Sequence, residues 1–102
     1  MALIYVPLVA NWDDIPEENC TVKELRTYEV PDSEYHFLCT SFATELYNEK
    51  GLFLEEYETD DFEGDDLVVF MGLVERHKDK LPTLYKAGTL ALNTQKYLTI
   101  AL

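Results

Sequence analysis

The apolar pattern predicts a mixed α/β (α+β) fold, a small mixed sheet of about three strands packed by three to four helices. Three observations carry this. Residues 2–9 are apolar almost throughout and residues 96–102 alternate, as strands do. Residues 33–49, 67–78 and 82–92 place apolar residues at helical spacing. The chain has 102 residues, enough for one domain over 1–102 with one modest core.

Residues 2–9 carry apolar side chains on both faces, which predicts a strand inside the sheet. Pro7 has no N–H and limits regular pairing near the end of that strand. Residues 11–19 are polar, contain Pro16 and read as a loop. Residues 21–30 predict a short helix, with a strand as the alternative. Thr21-Val22-Lys23-Glu24 fits a capping box, and Val22, Leu25 and Tyr28 recur every three residues.

A clearer helix follows Pro31-Asp32-Ser33 and runs over about 33–49, with Gly51 as its stop. Tyr35, Leu38, Cys39, Phe42, Ala43 and Leu46 share one face, and Phe37 points to the other side. Residues 52–58 alternate loosely and predict a strand that runs into an acidic loop. Residues 67–78 predict a buried helix. Asp65 and Asp66 before it and Arg76, His77, Lys78 and Lys80 at its end suit the helix dipole. Pro82 suits the first turn of another helix, over 82–92, with Asn93 as its stop. In 96–102, Leu98, Ile100 and Leu102 face one way and Tyr97, Thr99 and Ala101 the other, as in a half-buried final strand.

Charge is the feature that bears on function. Twenty acids against eight bases give −12. That balance argues against direct binding to nucleic acid, which needs clustered Lys and Arg, and against an anionic membrane surface. No apolar run approaches the roughly 20 residues that span a bilayer. The opening MALIYVPLVA has no basic n-region, so no signal peptide is expected. The expected location is the cytoplasm, with Cys20 and Cys39 as thiols.

The excess is local. Residues 1–66 hold 18 acids and three bases, a balance of −15, whereas residues 67–102 hold two acids and five bases, a balance of +3. The densest stretch is 55–66, with eight acids: Glu55, Glu56, Glu58, Asp60, Asp61, Glu63, Asp65 and Asp66. Tyr57 and Phe62 interleave with them. A weaker cluster, Asp13, Asp14, Glu17 and Glu18, lies beside Trp12. Crowded like charges destabilise a fold. The cluster therefore serves either solubility or a cationic partner. In the second reading all ten residues, from Glu55 to Asp66 with Tyr57 and Phe62, form the binding surface.

Chemistry finds no foothold. An EF-hand with Gly64 in its sixth position would put Thr59 first and Phe70 twelfth, and Phe70 is no oxygen donor. Cys20, Cys39, His36 and His77 are scattered, and the His36–Cys39 spacing alone makes no zinc site. Nucleophile elbow and phosphate-binding glycine motifs are missing. The expectation is a chain that is not an enzyme and uses no cofactor or metal.

The small size, the 55–66 acidic–aromatic stretch and the lack of a catalytic motif resemble small acidic bacterial toxin-immunity proteins. These are the inhibitors of bacteriocin and contact-dependent growth inhibition systems. The resemblance implies a monomer or weak dimer that neutralises a basic protein toxin domain, a nuclease above all. Two alternatives remain. One is a DNA mimic that blocks a nucleic-acid-binding protein, against which the +3 of residues 67–102 counts. The other is an assembly subunit whose acids merely solvate it and which associates through the apolar surface of 67–74.

Overall fold

The computed structural model describes residues 2–9, 25–55 and 58–102. The elements are β1 (Ala2–Pro7), β2 (Leu25–Val30), α1 (Asp32–Phe37), a π-helical turn (Leu38–Phe42), α2 (Ala43–Lys50), β3 (Thr59–Glu63), α3 (Gly64–Arg76), α4 (Pro82–Leu92) and β4 (Tyr97–Ala101). The fold is mixed α/β, with four strands rather than three among the described residues. The strands form one sheet in the order β2-β1-β4-β3, and each neighbouring pair is antiparallel.

The extra strand comes from residues 21–30. Where the sequence favours a helix, Leu25–Val30 pairs along the whole of β1, from Ala2 opposite Val30 to Pro7 opposite Leu25. A threefold recurrence of apolar residues over so short a stretch does not separate helix from strand, and pairing with the apolar β1 decides it. The capping box at 21–24, the loop at 11–19, the acids beside Trp12 and Cys20 lie outside the described residues.

The second difference lies at residues 52–58. The strand begins later, at Thr59, and residues 52–55 are irregular. What reads as an acidic loop in the sequence is the edge strand of the sheet.

One face of the sheet is buried beneath the helices. Ile4, Val6, Leu98 and Ile100 are inaccessible and join Leu67, Phe70, Leu73, Leu84 and Ala87 in a single core. α4 lies against β1, β2 and β4, while α3 covers β3 and β4. Gly88 leaves a notch on α4 that Met71 of α3 fills; a Cβ there would sit 2.0 Å from the Met71 sulfur. The opposite face carries Leu3, Tyr5, Tyr97, Thr99 and Ala101, all half-buried. β1 is therefore internal, as its apolar faces predict, but only one face is fully enclosed.

The helix expected over 33–49 is continuous from Asp32 to Lys50, with the π-helical turn at its centre. Gly51 ends it in the left-handed conformation (φ 69°), its N–H donating to the Tyr47 carbonyl. Glu34, only 3% exposed, is the buried charge of this segment. Its carboxylate accepts the N–H groups of Thr83 (3.2 Å) and Leu84 (2.9 Å). These are orphan donors of the first turn of α4, where Pro82 brings no N–H of its own. Glu34 thus caps α4 from α1, with each oxygen satisfied.

Candidate acidic binding surface

Three of the five residues of β3, Asp60, Asp61 and Glu63, suit strands poorly. Phe62 is the reason the strand forms. Its ring stacks on Phe70 at 4.2 Å between centroids and 14° between planes, and it pairs with Leu98 of β4. Alternation then fixes the rest. Asp60 and Phe62 point towards the helices, whereas Thr59, Asp61 and Glu63 stand exposed on the other side.

Phe62 is 3% exposed and belongs to the core. It is not one of the surface aromatics that the sequence pattern suggests, because the strand turns it inward. Glu56 and Tyr57 lie outside the described residues. The other seven acids fall along one border of the molecule: Glu55 in the segment before β3, Glu58 at its start, Asp60, Asp61 and Glu63 within it, and Asp65 and Asp66 in the first turn of α3.

Two of these carboxylates are held in place. Asp60 Oδ2 accepts the Glu55 N–H at 3.1 Å and closes the connection into β3. Asp61 Oδ1 accepts the Thr99 hydroxyl at 2.7 Å across the β3–β4 pair. Asp61 also accepts from the Tyr97 phenol. Burial first, and then the Asp61 carboxylate, push Tyr97 up to about 12. The side chains of Glu58, Glu63, Asp65 and Asp66 are exposed. Asp65 and Asp66 meet the positive end of the α3 dipole, a small favourable interaction at an exposed site.

A second group of charges lies between α2 and α3 and follows different rules. Arg76 bonds Glu45 at 2.8 Å and Glu49 at 2.9 Å, and His77 Nε2 lies 2.6 Å from the other Glu45 oxygen. The His77 ring packs against Phe37 (5.4 Å) and Phe42 (6.4 Å). Its hydrogen bond is the main cause that holds Glu45 below the ordinary carboxylate value. Glu49 first, then Glu45, raise Arg76 above its own. The sequence hints at part of this through the bases that end α3. Their partners 27 to 32 residues away have no local signature.

Among the described residues, all ion pairs within 4.0 Å join Arg76 or His77 to Glu45 or Glu49, and none reaches the acids of 55–66. Lys96 is the nearest base in sequence to β4; its backbone carbonyl, at φ 54°, accepts the Gly64 N–H at 3.0 Å. This bond ties the start of α3 to the start of β4.

Other chemistry is sparse. No group of three or more His, Cys, Asp and Glu among the described residues is placed to hold a metal ion. His36 is exposed and lines a shallow groove with Phe37, Lys80 and Thr83. Of the two carboxylates that line it, Glu34 and Asp79, Glu34 is already engaged by α4. No helix among the described residues is long and apolar enough to cross a membrane. Tyr47 and Phe53, 54% and 58% exposed, form an aromatic pair at 5.0 Å, which the spacing of residues 47 and 53 does not reveal. Comparison of the chain with protein-family models, with curated sequences and with solved structures gives no match.

Proposed function

We propose that the chain is an inhibitor of the immunity type, which binds and neutralises a cationic protein toxin, a nuclease domain, in the cytoplasm. The observation that carries this reading is the lack of compensation along β3 and the first turn of α3. Glu58, Glu63, Asp65 and Asp66 are exposed and have no cation within 4.0 Å among the described residues. They stand on a strand and a helix start anchored by Phe62 rather than on an isolated loop. Carboxylates held on a regular element lose little freedom on binding.

A nuclease holds phosphates in a basic groove. Carboxylates of a rigid border can occupy that groove and exclude the substrate. Complementary charge of this kind steers encounter and speeds association. The chain acts by occupancy, without a reaction of its own, a cofactor or a metal. The hydrogen-bonded carboxylates Asp60 and Asp61 supply fixed geometry, and the unpaired ones supply the field.

The test has two steps. Co-expression with a basic toxin domain encoded beside this chain restores growth. Reversal of Glu58, Glu63 and Asp65 to Lys then slows association with that domain by about tenfold or more and flattens its salt dependence. An unchanged rate and salt slope in the triple variant contradict the assignment.

A further inference from the structure

The hydrogen bonds at the two ends of the β3–β4 pairing fix which backbone groups of β3 are in use. The Leu102 N–H donates to the Glu58 carbonyl at 3.1 Å, and the Gly64 N–H donates to the Lys96 carbonyl at 3.0 Å. Between them, Asp60 lies opposite Ile100 and Phe62 opposite Leu98. Hydrogen-bonded pairs alternate along an antiparallel ladder. Positions 58, 60, 62 and 64 are therefore the ones bonded to β4.

Thr59 and Asp61 direct both N–H and C=O the other way, to the outer edge. Glu63 sends its N–H there too, while its carbonyl starts the hydrogen-bond ladder of α3 as the N-cap residue. Among the described residues no backbone group bonds to this edge, and β3 has no neighbour beyond it. The edge thus offers two acceptors and three donors in strand geometry. The residues that offer them are also those whose side chains, Thr59, Asp61 and Glu63, stand exposed on the open face.

We propose that the outer edge of β3 accepts an extended segment of the cationic partner as an added antiparallel strand, continuing the antiparallel pairing of the sheet, with basic residues at every second position. This rests on the reading of the acidic border given above and adds how the partner is held. Residues of the added strand opposite Asp61 and Glu63 share their face, with Cβ atoms about 5 Å apart. A Lys or Arg there meets a carboxylate directly. Main-chain bonds then give affinity and the alternate side chains give selectivity. A second copy of β3 fits poorly in the same place, because carboxylates would stand opposite carboxylates. The acidic edge thereby resists self-association and admits a basic strand.

The pairing also says which amides of the guest are used. Residues opposite Thr59 and Asp61 exchange the bonds, and these are the lysine positions of an alternating Lys/Val peptide. The probe is such a peptide of about eight residues, a usual strand length. Two copies carry N-methyl groups, one on the lysine amides and one on the valine amides. Both keep the same charge. The intact and valine-methylated peptides are expected to bind the full chain and to slow amide exchange at Thr59, Asp61 and Glu63. Methylation at the lysine amides is expected to weaken binding about tenfold or more, the effect of losing two ordinary hydrogen bonds. Equal affinity for the two methylated peptides overturns strand addition and leaves the acidic-surface reading standing. No binding by any of the three overturns both. Protection at β2 instead of β3 places the guest on the wrong edge and overturns the proposal.

Discussion

Two parts of this molecule carry clustered carboxylates, and they differ in where the counter-charge comes from. Between α2 and α3, Glu45 and Glu49 share Arg76, and Glu45 also pairs with His77, so the cluster is closed within the fold. Along β3 and the start of α3, Glu58, Glu63, Asp65 and Asp66 face outward without a cation among the described residues. The first arrangement helps to join two helices. The second brings self-repulsion and, beyond the dipole contact of Asp65 and Asp66, no internal return, which is the behaviour expected of a surface kept for another molecule. Net charge alone does not distinguish them; the pairing does.

The contrast can be broken most forcefully at Phe62, the apolar anchor within the acidic strand. Phe62→Ala removes the ring stacked on Phe70 and is expected to cost about 3–5 kcal/mol. Urea unfolding reads this directly, and a loss below about 1 kcal/mol would mean that β3 does not depend on its anchor.

Glu34 comes next, as the carboxylate that is enclosed rather than displayed. Glu34→Ala strands two N–H groups at the start of α4, and a loss of about 1–3 kcal/mol is expected in the same measurement. Retained stability would show that α4 needs no cap from α1.

The α2–α3 cluster is sharpened by acid. Glu45 titrates below its ordinary value of 4.5, chiefly through the His77 hydrogen bond. Its folded-state value is depressed, so its contribution is present above the unfolded value and is lost as pH falls below 4.5 towards the folded value. The urea midpoint of the native chain should therefore drop more steeply through that range than the midpoint of Glu45→Gln. Parallel curves would place the ion pairs among those that contribute nothing.

Much of the scaffold was readable without coordinates, and the reasons are local. Pro82 and Asn93 bracket α4 at Pro82–Leu92, Gly51 stops α2, and the alternation of Leu98 and Ile100 marks β4. The site was readable in composition but not in form. Asp60, Asp61 and Glu63 suit a strand poorly, and Thr59 and Phe62 alone do not mark one. β3 exists because Phe62 meets Phe70 and because Asp61 and Thr99 bond across to β4, and those contacts become visible only once the chain has folded. The same holds for β2, whose identity comes from its register with β1 rather than from its own spacing. Phe62, which the sequence pattern places on the binding surface, is the anchor that turns Thr59, Asp61 and Glu63 outward.

The unpaired acids of this border, Glu58, Glu63, Asp65 and Asp66, are held for a partner and not for the fold. The most direct measurement compares urea midpoints of two charge-neutralised chains, Glu58→Gln with Glu63→Gln and Glu45→Gln with Glu49→Gln, each against the native protein at low salt. Neutralising Glu58 and Glu63 is expected to leave the midpoint unchanged or raise it, while neutralising Glu45 and Glu49 lowers it. A lower midpoint for Glu58→Gln with Glu63→Gln would contradict it, because those carboxylates would then be serving the fold.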